Sequence, residues 1–538
     1  MKATWIFTGG PVVTVDREDR IAEAIAIDGK RILAVGSRDQ AMEYRGPSTE
    51  VVDLKGRALL PGLVESHCHM LSFGTNELGV NLKYPNVKSM GELQAALRKK
   101  AAETPPGQWI RGWGYDHSRL AENRHPERWD LDAVSTVHPI LVSRTCGHIV
   151  AANSLALKSA GLTDETSDPP GGKFGRRDGR LTGVAFEAAQ GLVRGPSRYS
   201  YDDLRKALKA CNDYWLQSGF TSSADAGSIA GRPEVLQDAL AAGEVKLRVY
   251  MMATVDGPAS LDKWLTSLES GFRERMESDR VKVGPLKVFI DGSSSGPTAA
   301  TRDPYTSNPA DSGMLYMDQE RLNQLIEKGH AAGCQVTCHA VGDRAVEMML
   351  NALEMAMANH PRPDPRHRIE HCGICPPDLQ ERIRRLGVIP VAQPVFFQEF
   401  GDGYLRNYGP ARVRHMFPAR SFLEQGIPVA ASSDSPVTYV DSNLGLYSAL
   451  TRKTMTGQVC AAEETVDIMS AIRMYTYNGA YAMFRENEIG SLEPGKLADL
   501  AVFSGDILRM SPPEVRHATV DMTFVDGELV YENRENRR

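Results

Sequence analysis

Eight short apolar runs restrict the fold of this chain more than any other feature in it. They lie at Pro61–His69, Gly219–Asp225, Leu247–Met252, Gly284–Gly292, Cys334–His339, His367–His371, Val388–Ala392 and Ile427–Asp434. Helical stretches separate many of them. Asp318 is placed to cap a helix carrying Leu322, Leu325 and Ile326 and closed by Gly333. Asp343 is placed to cap another carrying Val346, Met349, Leu350 and Leu353. Strands alternating with helices imply a parallel sheet. Eight of them predict an α/β protein built on a closed (β/α)8 TIM-type barrel, with its site at the C-terminal ends of the strands.

The flanks read differently. Before residue 61, short β runs such as Val12–Val15, Ala24–Ile27 and Ile32–Val35 are separated by turns, Asp28-Gly29-Lys30 among them. After about residue 485 the chain returns to β, at Leu497–Phe503 and Val520–Val525, with Asp526-Gly527 turning into Leu529-Val530-Tyr531. The simplest organisation is a small β-sandwich domain from residues 1–60 and 485–538, with the barrel over 61–484 between its halves. A large insertion over about 70–218 follows the first barrel strand. It holds a helix opened by Ser89 with Glu92, the aromatic run Trp109–Asp116 and a short strand at Pro139–Arg144.

A net charge of -6 and the lack of a basic run argue against nucleic acid as a partner. No run is long and apolar enough to span a bilayer, and the apolar start is too short for a signal peptide. Eight cysteines scattered over 538 residues fit reduced thiols. The expectation is a cytoplasmic protein with a small-molecule substrate and neither a membrane nor a nucleic-acid partner.

The chemistry sits at the strand ends. Residues two apart on a strand share a face, so His67 and His69 project together, and imidazole is the commonest ligand for zinc-like metals. The fourth barrel strand carries Lys287; the fifth ends in His339, the sixth in His371 and the eighth in Asp434. Side chains at strand ends converge on one mouth. A lysine in so apolar a strand needs compensation. Either Asp291 or Glu65 pairs with it, or it has reacted with carbon dioxide to give an anionic carbamate. Trp113, Tyr115, Phe396 and Phe397 are candidates for an apolar pocket or for core. Cys372-Gly373-Ile374-Cys375 is a CxxC without redox surroundings. Cys68 should point away from the histidines. The remaining histidines, His330 and His367 among them, carry no motif and read as surface or structural.

With these motifs in this order the chain resembles the amidohydrolase superfamily, in the branch that includes N-substituted formamide deformylases. The resemblance rests on Pro61–His69, Leu286-Lys287 to Asp291-Gly292-Ser293, His339–Asp343, Arg368–His371, Ser432–Pro436 and Gly490–Leu500. It implies that His67 and His69 hold one metal and His339 and His371 another. A carboxylated Lys287 would bridge them, and Asp434 would bind the first metal and act as base. One or two divalent ions are implied, zinc foremost, although histidine and carboxylate ligands also suit manganese, iron, cobalt or nickel. His148 lies in Cys146–Ser154, which resembles this branch's insertion motif, and is a candidate to polarise the carbonyl oxygen or a structural loop histidine. Glu187 sits where the branch carries glutamate, to contact metal or substrate or to cap the following helix; Trp113 joins them as a substrate-binding candidate. One departure is Glu65, which stands where the superfamily often has aspartate.

The implied activity is metal-dependent hydrolysis of a non-peptide C–N bond in an amide, formamide or cyclic amide. A metal-activated hydroxide attacks, and a carboxylic acid and an amine result. Alternatives are an ester or carbamate hydrolase using the same site, a catalytically silent binding protein, or a redox protein dependent on Cys372 and Cys375. A homo-oligomer is expected from the superfamily.

Overall fold

The computed structural model describes residues 1–533. It divides into two compact units, one of Met1–His69 together with the chain from Cys211 onward, the other of Met70–Ala210.

The first unit contains the barrel. Its strands, here numbered β1 to β8, are Leu63–Cys68, Phe220–Asp225, Arg248–Thr254, Val281–Phe289, Val336–Ala340, Arg368–His371, Ile389–Ala392 and Ala430–Ala431. They pair in parallel in that order. The seam between β8 and β1 is closed by backbone bonds. Asp434 N–H donates to His67 O at 3.0 Å and His69 N–H to Ser435 O at 2.7 Å.

Close packing decides which way β1 faces, since all six of its residues are buried. Val64 and Ser66 point out against the helix Tyr477–Ala482, where Gly479 leaves no room for a Cβ: one built there would lie 2.8 Å from Val64 Cβ and Ser66 Oγ. The pleat then turns Glu65 and His67 inward. Asp318 caps the helix Gln319–Ala331, accepting Arg321 N–H at 2.9 Å. Asp343 does not cap: Gly342 is the N-cap of Asp343–Asn359. The Asp343 carboxylate instead accepts Arg302 N–H at 2.8 Å and Arg344 N–H at 3.0 Å.

Both flanks meet in one sheet of eight strands. Leu59–Pro61 pairs antiparallel with Leu500–Phe503, through Leu59↔Val502 and Leu60↔Ala501. Where the sequence leads one to expect a separate β-sandwich domain, the ladder is a single connected sheet inside the same compact unit as the barrel. Alternation still buries two faces: Phe7, Ile25 and Ile27 lie in one apolar cluster, and Ile6, Ala24 and Ala26 in another. The sheet is fastened to the barrel by charge. The buried Arg248 at the start of β3 donates from Nε to Asp499 Oδ2 at 2.7 Å and from Nη2 to Asp499 Oδ1 at 2.9 Å, and also reaches Asp526. A bidentate, fully buried pair of this kind is costly to break from one side.

The second unit is a six-stranded sheet in the order Gly172–Arg177, Arg180–Glu187, Ile149–Ala152, Ile140–Arg144, Ile110–Tyr115, Val80–Asn81. The first four strands are antiparallel to one another and the last two join in parallel. Ile140 and Val142 face one core with Leu93 and Leu97; Leu141 faces another with Val150 and Phe174. Ser89 Oγ accepts Glu92 N–H at 3.2 Å and starts the helix Met90–Glu103.

All eight cysteines are buried free thiols, Cys372 and Cys375 included. Among the described residues no helix is long and apolar enough to cross a membrane.

Candidate metal centre

At the C-terminal mouth of the barrel, β1 and the end of β8 bring three side chains together. His67, His69 and Asp434 each offer a ligand atom, and these atoms all lie within 4.8 Å of one another. Asp434 Oδ1 is 3.3 Å from His67 Nε2 and 3.5 Å from His69 Nε2. That oxygen is buried and has no hydrogen-bond partner among the described residues. A buried carboxylate oxygen is rarely left so. Burial raises the pKa of Asp434, but the two imidazoles outweigh it and hold the carboxyl well below the usual range.

His67 is oriented from behind. Its Nδ1–H donates to Glu370 Oε2 at 2.5 Å, which leaves the Nε2 lone pair directed at the mouth. Glu370, on β6, is itself fully buried and anchored. It accepts Arg368 Nε at 2.8 Å, Arg368 Nη2 at 2.9 Å and Thr337 Oγ1 at 2.7 Å. Burial opposes ionisation of Glu370, yet Arg368 and His67 hold its carboxyl far below the ordinary value.

His371 and His339 stand beside this trio, with ring centroids 4.5 Å apart; His371 is 5.1 Å from His67 by the same measure. His371 Nδ1–H donates to Gln393 Oε1 at 2.8 Å, leaving Nε2 as its lone-pair nitrogen. Burial pushes the His371 imidazole down to about 3, so it is neutral at physiological pH. His339 Nε2–H donates to Gly292 O at 3.1 Å, which makes Nδ1 the lone-pair nitrogen there. Positive φ occurs at the same strand ends: His371, Cys372 and Asp434 have φ of 71°, 47° and 54°. Non-glycine residues in that region cost about 1–3 kcal/mol each, and such residues cluster at active sites.

Lys287, on β4, is fully buried, and its Nζ lies 3.2 Å from His67 Nε2. Burial pushes its ammonium below the ordinary lysine value, while Glu370 and Asp434 pull the other way. The alternative pairing with Asp291 or Glu65 is not what the geometry offers. Asp291 accepts backbone N–H groups from Val341 at 3.0 Å, Gly342 at 2.8 Å and Ala300 at 2.9 Å. Glu65 Oε1 accepts Ser433 N–H at 2.9 Å and His67 N–H at 3.4 Å, tying β1 to the end of β8. Burial pushes the Glu65 carboxyl up to about 8. Cys68 faces away, with Sγ 2.9 Å from Ser223 Oγ.

Three further candidates belong to the second unit. His148 and Glu187 are paired, Nδ1 to Oε2 at 2.7 Å, where the strands at Ile149–Ala152 and Arg180–Glu187 run antiparallel. Glu187 has a φ of 48°. Trp113, on Ile110–Tyr115, lines a cavity of that unit and has Lys83 Nζ 5.5 Å from its ring.

Glu370 and Gln393 carry no role in the sequence reading, although Glu370 lies inside the quoted Arg368–His371 motif. The available signal was a second charge two residues from Arg368 in an apolar strand. It marks a buried pair but not the imidazole that the pair supports.

The His67, His69 and Asp434 donors fit a divalent metal: two imidazole nitrogens and a buried carboxylate oxygen without a hydrogen-bond partner among the described residues. A sequence profile of the amidohydrolase family matches residues 50–531. The chain is 30% identical to the YtcJ protein of Bacillus subtilis, covering 99% of this chain and 100% of that protein. It is also 30% identical to the N-substituted formamide deformylase of Arthrobacter pascens, covering 97% of each. The crystal structure of an uncharacterized metal-dependent hydrolase from Pyrococcus horikoshii superposes with a TM-score of 0.77 at 26% identity, covering 95% of this chain and 99% of that one.

Proposed function

The chain belongs to the amidohydrolase family, and from that premise we propose that it is a metal-dependent hydrolase of a non-peptide C–N bond in an amide, formamide or cyclic amide. The observation that carries the reading is the orphaned Asp434 oxygen facing His67 Nε2 and His69 Nε2. His67, His69 and Asp434 would hold one divalent ion, with zinc the first choice. His339 and His371 would hold a second, with Lys287 between them as a carbamate. The buried position of Lys287 supports this, since burial favours the neutral amine, and the neutral amine is the form that adds to carbon dioxide with loss of a proton. When bound, such an ion supplies Lewis acidity, making water nucleophilic near neutral pH and polarising a carbonyl oxygen.

The chain's own residues then have separable tasks. Asp434 takes the proton of the attacking water and returns it to the leaving nitrogen, base first and acid second. Glu370 keeps His67 in one tautomer, and Gln393 does the same for His371. Substrate contact by His148, Glu187 and Trp113 is supported by the resemblance, and esters or carbamates are the neighbouring substrates for the same chemistry. The test is metal content per chain combined with amine release from a panel of formamides, amides and cyclic amides. Bound metal, with turnover lost in Asp434→Asn, is the expected result. A chain that binds no metal and releases no amine overturns the reading.

A further inference from the structure

The second unit holds a cavity of about 180 Å³ lined in part by Arg111, Arg194, Ser143, Ser197, Tyr199 and Trp113. It is smaller than the roughly 300–1,000 Å³ that enclose a drug-sized molecule, so it suits one functional group. Its lining contains two guanidinium groups and no aspartate or glutamate. Each guanidinium is held in place through two of its nitrogens. Arg111 donates from Nε to Ser197 Oγ at 2.8 Å and from Nη2 to Arg198 O at 3.1 Å, and it stacks 4.2 Å above the Tyr199 ring. Arg194 donates from Nε to Gln190 Oε1 at 2.9 Å and from Nη2 to Ser143 Oγ at 3.0 Å. All four acceptors are neutral, and neither Nη1 meets a protein acceptor among the described residues.

Burial lowers the pKa of both arginines. Asp203 is the acid that acts on Arg111 through space, and it is outside the lining, accepting Ser200 N–H at 3.3 Å. Two partly desolvated cations lining one cavity that has no carboxylate in its wall are unfavourable unless an anion compensates them. Ser143 and Ser197 accept from the arginines, so each hydroxyl keeps its own proton to donate.

We propose that this cavity binds a small oxyanion, the carboxylate or phosphate group of a metabolite, between Nη1 of Arg111 and Nη1 of Arg194, with the hydroxyls of Ser143 and Ser197 as further donors. A charged guanidinium nitrogen with its protons unspent on the protein makes a strong, charge-assisted donor to such groups. This inference does not rest on the metal reading.

The test is calorimetric titration of the full-length protein with sodium phosphate and, separately, sodium propionate at constant ionic strength. Arg111→Gln, Arg194→Gln and His67→Ala are titrated alongside. Binding of one anion per chain is expected, weakened about 10- to 100-fold in either arginine variant and unchanged in His67→Ala. Preference for propionate assigns a carboxylate and preference for phosphate a phosphoryl group. No binding of either anion, binding indifferent to both arginine variants, or binding lost only in His67→Ala overturns the proposal. If a glutamine variant does not fold, Arg194→Lys decides. It keeps the charge but loses the guanidinium that Gln190 and Ser143 hold in place, and it must weaken binding while its circular dichroism matches the wild type.

Discussion

Replacing Glu370 by glutamine separates the support of the metal centre from the metal itself. The carboxylate accepts four hydrogen bonds, two from Arg368, one from Thr337 and one from His67 Nδ1, and both it and Arg368 are fully buried. Glutamine has nearly the same shape but only one accepting oxygen. Its NH2 faces an Arg368 N–H in either orientation, and in the one that replaces Oε2 it faces the His67 Nδ1–H as well, donor against donor. Facing His67, it favours the tautomer with the proton on Nε2, the nitrogen that points at Asp434. Loss of such a supporting carboxylate weakens metal affinity by about 10- to 100-fold. The variant also leaves Arg368 as an uncompensated buried charge, for about 3–5 kcal/mol of stability. The two effects are read separately. Urea unfolding of metal-stripped protein gives the stability change without ligand linkage, and competition against a chromophoric chelator gives zinc affinity of the folded protein. Zinc held within about two-fold of wild type by a folded Glu370→Gln protein would refute the argument that Glu370 sets the His67 tautomer.

Asp434→Asn should lower kcat/KM by about 10²- to 10⁴-fold, measured by amine release with zinc in excess; near-normal turnover would remove Asp434 as the base. Lys287→Ala should lower the metal bound per chain, measured by plasma emission after growth in defined metals, whereas unchanged content would make Lys287 a structural residue. Stripping with a chelator should abolish turnover and added zinc or manganese restore it, while activity that survives stripping would favour a metal-free reading. Acid stability carries a further signature. His367 Nδ1 accepts Val336 N–H at 3.1 Å and its Nε2–H donates to His330 Nδ1 at 2.9 Å, while Arg362 bonds His330 O at 2.7 Å. Burial, with His330 and Arg362 nearby, pushes His367 down to about 3, below its unfolded value near 6.5. The folded state therefore disfavours the proton: stability is full above about pH 6.5 and falls below it by about 1.4 kcal/mol per pH unit towards 3. His367→Gln should flatten that slope in urea titrations between pH 6 and 4, and an unchanged slope would refute the assignment.

The sequence makes the barrel readable because each strand is a compact apolar run ending in a polar residue, and burial on both faces leaves little else for such runs to be. What it does not show is which polar atoms meet. Glu370 and His67 are 303 positions apart, and only the closed β-ladder brings them together. Asp291 reads as a natural partner for Lys287, but three backbone N–H groups compete for its oxygens. Alternation in the flanks gives two buried faces, which a sandwich and a single covered sheet share. Asp343 stands one position inside the helix that the sequence places it to cap, because Gly342 already has the extended cap conformation, φ -75° and ψ 150°. The inserted unit resists reading most. Its strands are short and mixed in direction, and its functional candidates lie in segments with positive φ at Gly147 and Glu187 rather than at regular strand ends.

The pairing of Leu59–Pro61 with Leu500–Phe503 sets a timetable for synthesis. Its two sides leave the ribosome roughly 440 residues apart, which at about 5–20 residues per second is roughly 20–90 s. Throughout that interval the early strands present an open edge, and Arg248 in β3, once made, waits a further 251 residues for Asp499. The nascent chain therefore needs shielding until the late strands arrive. A chain shortened before Asp499 should accumulate as aggregate, even with every one of His67, His69, Lys287, His339, His371 and Asp434 present.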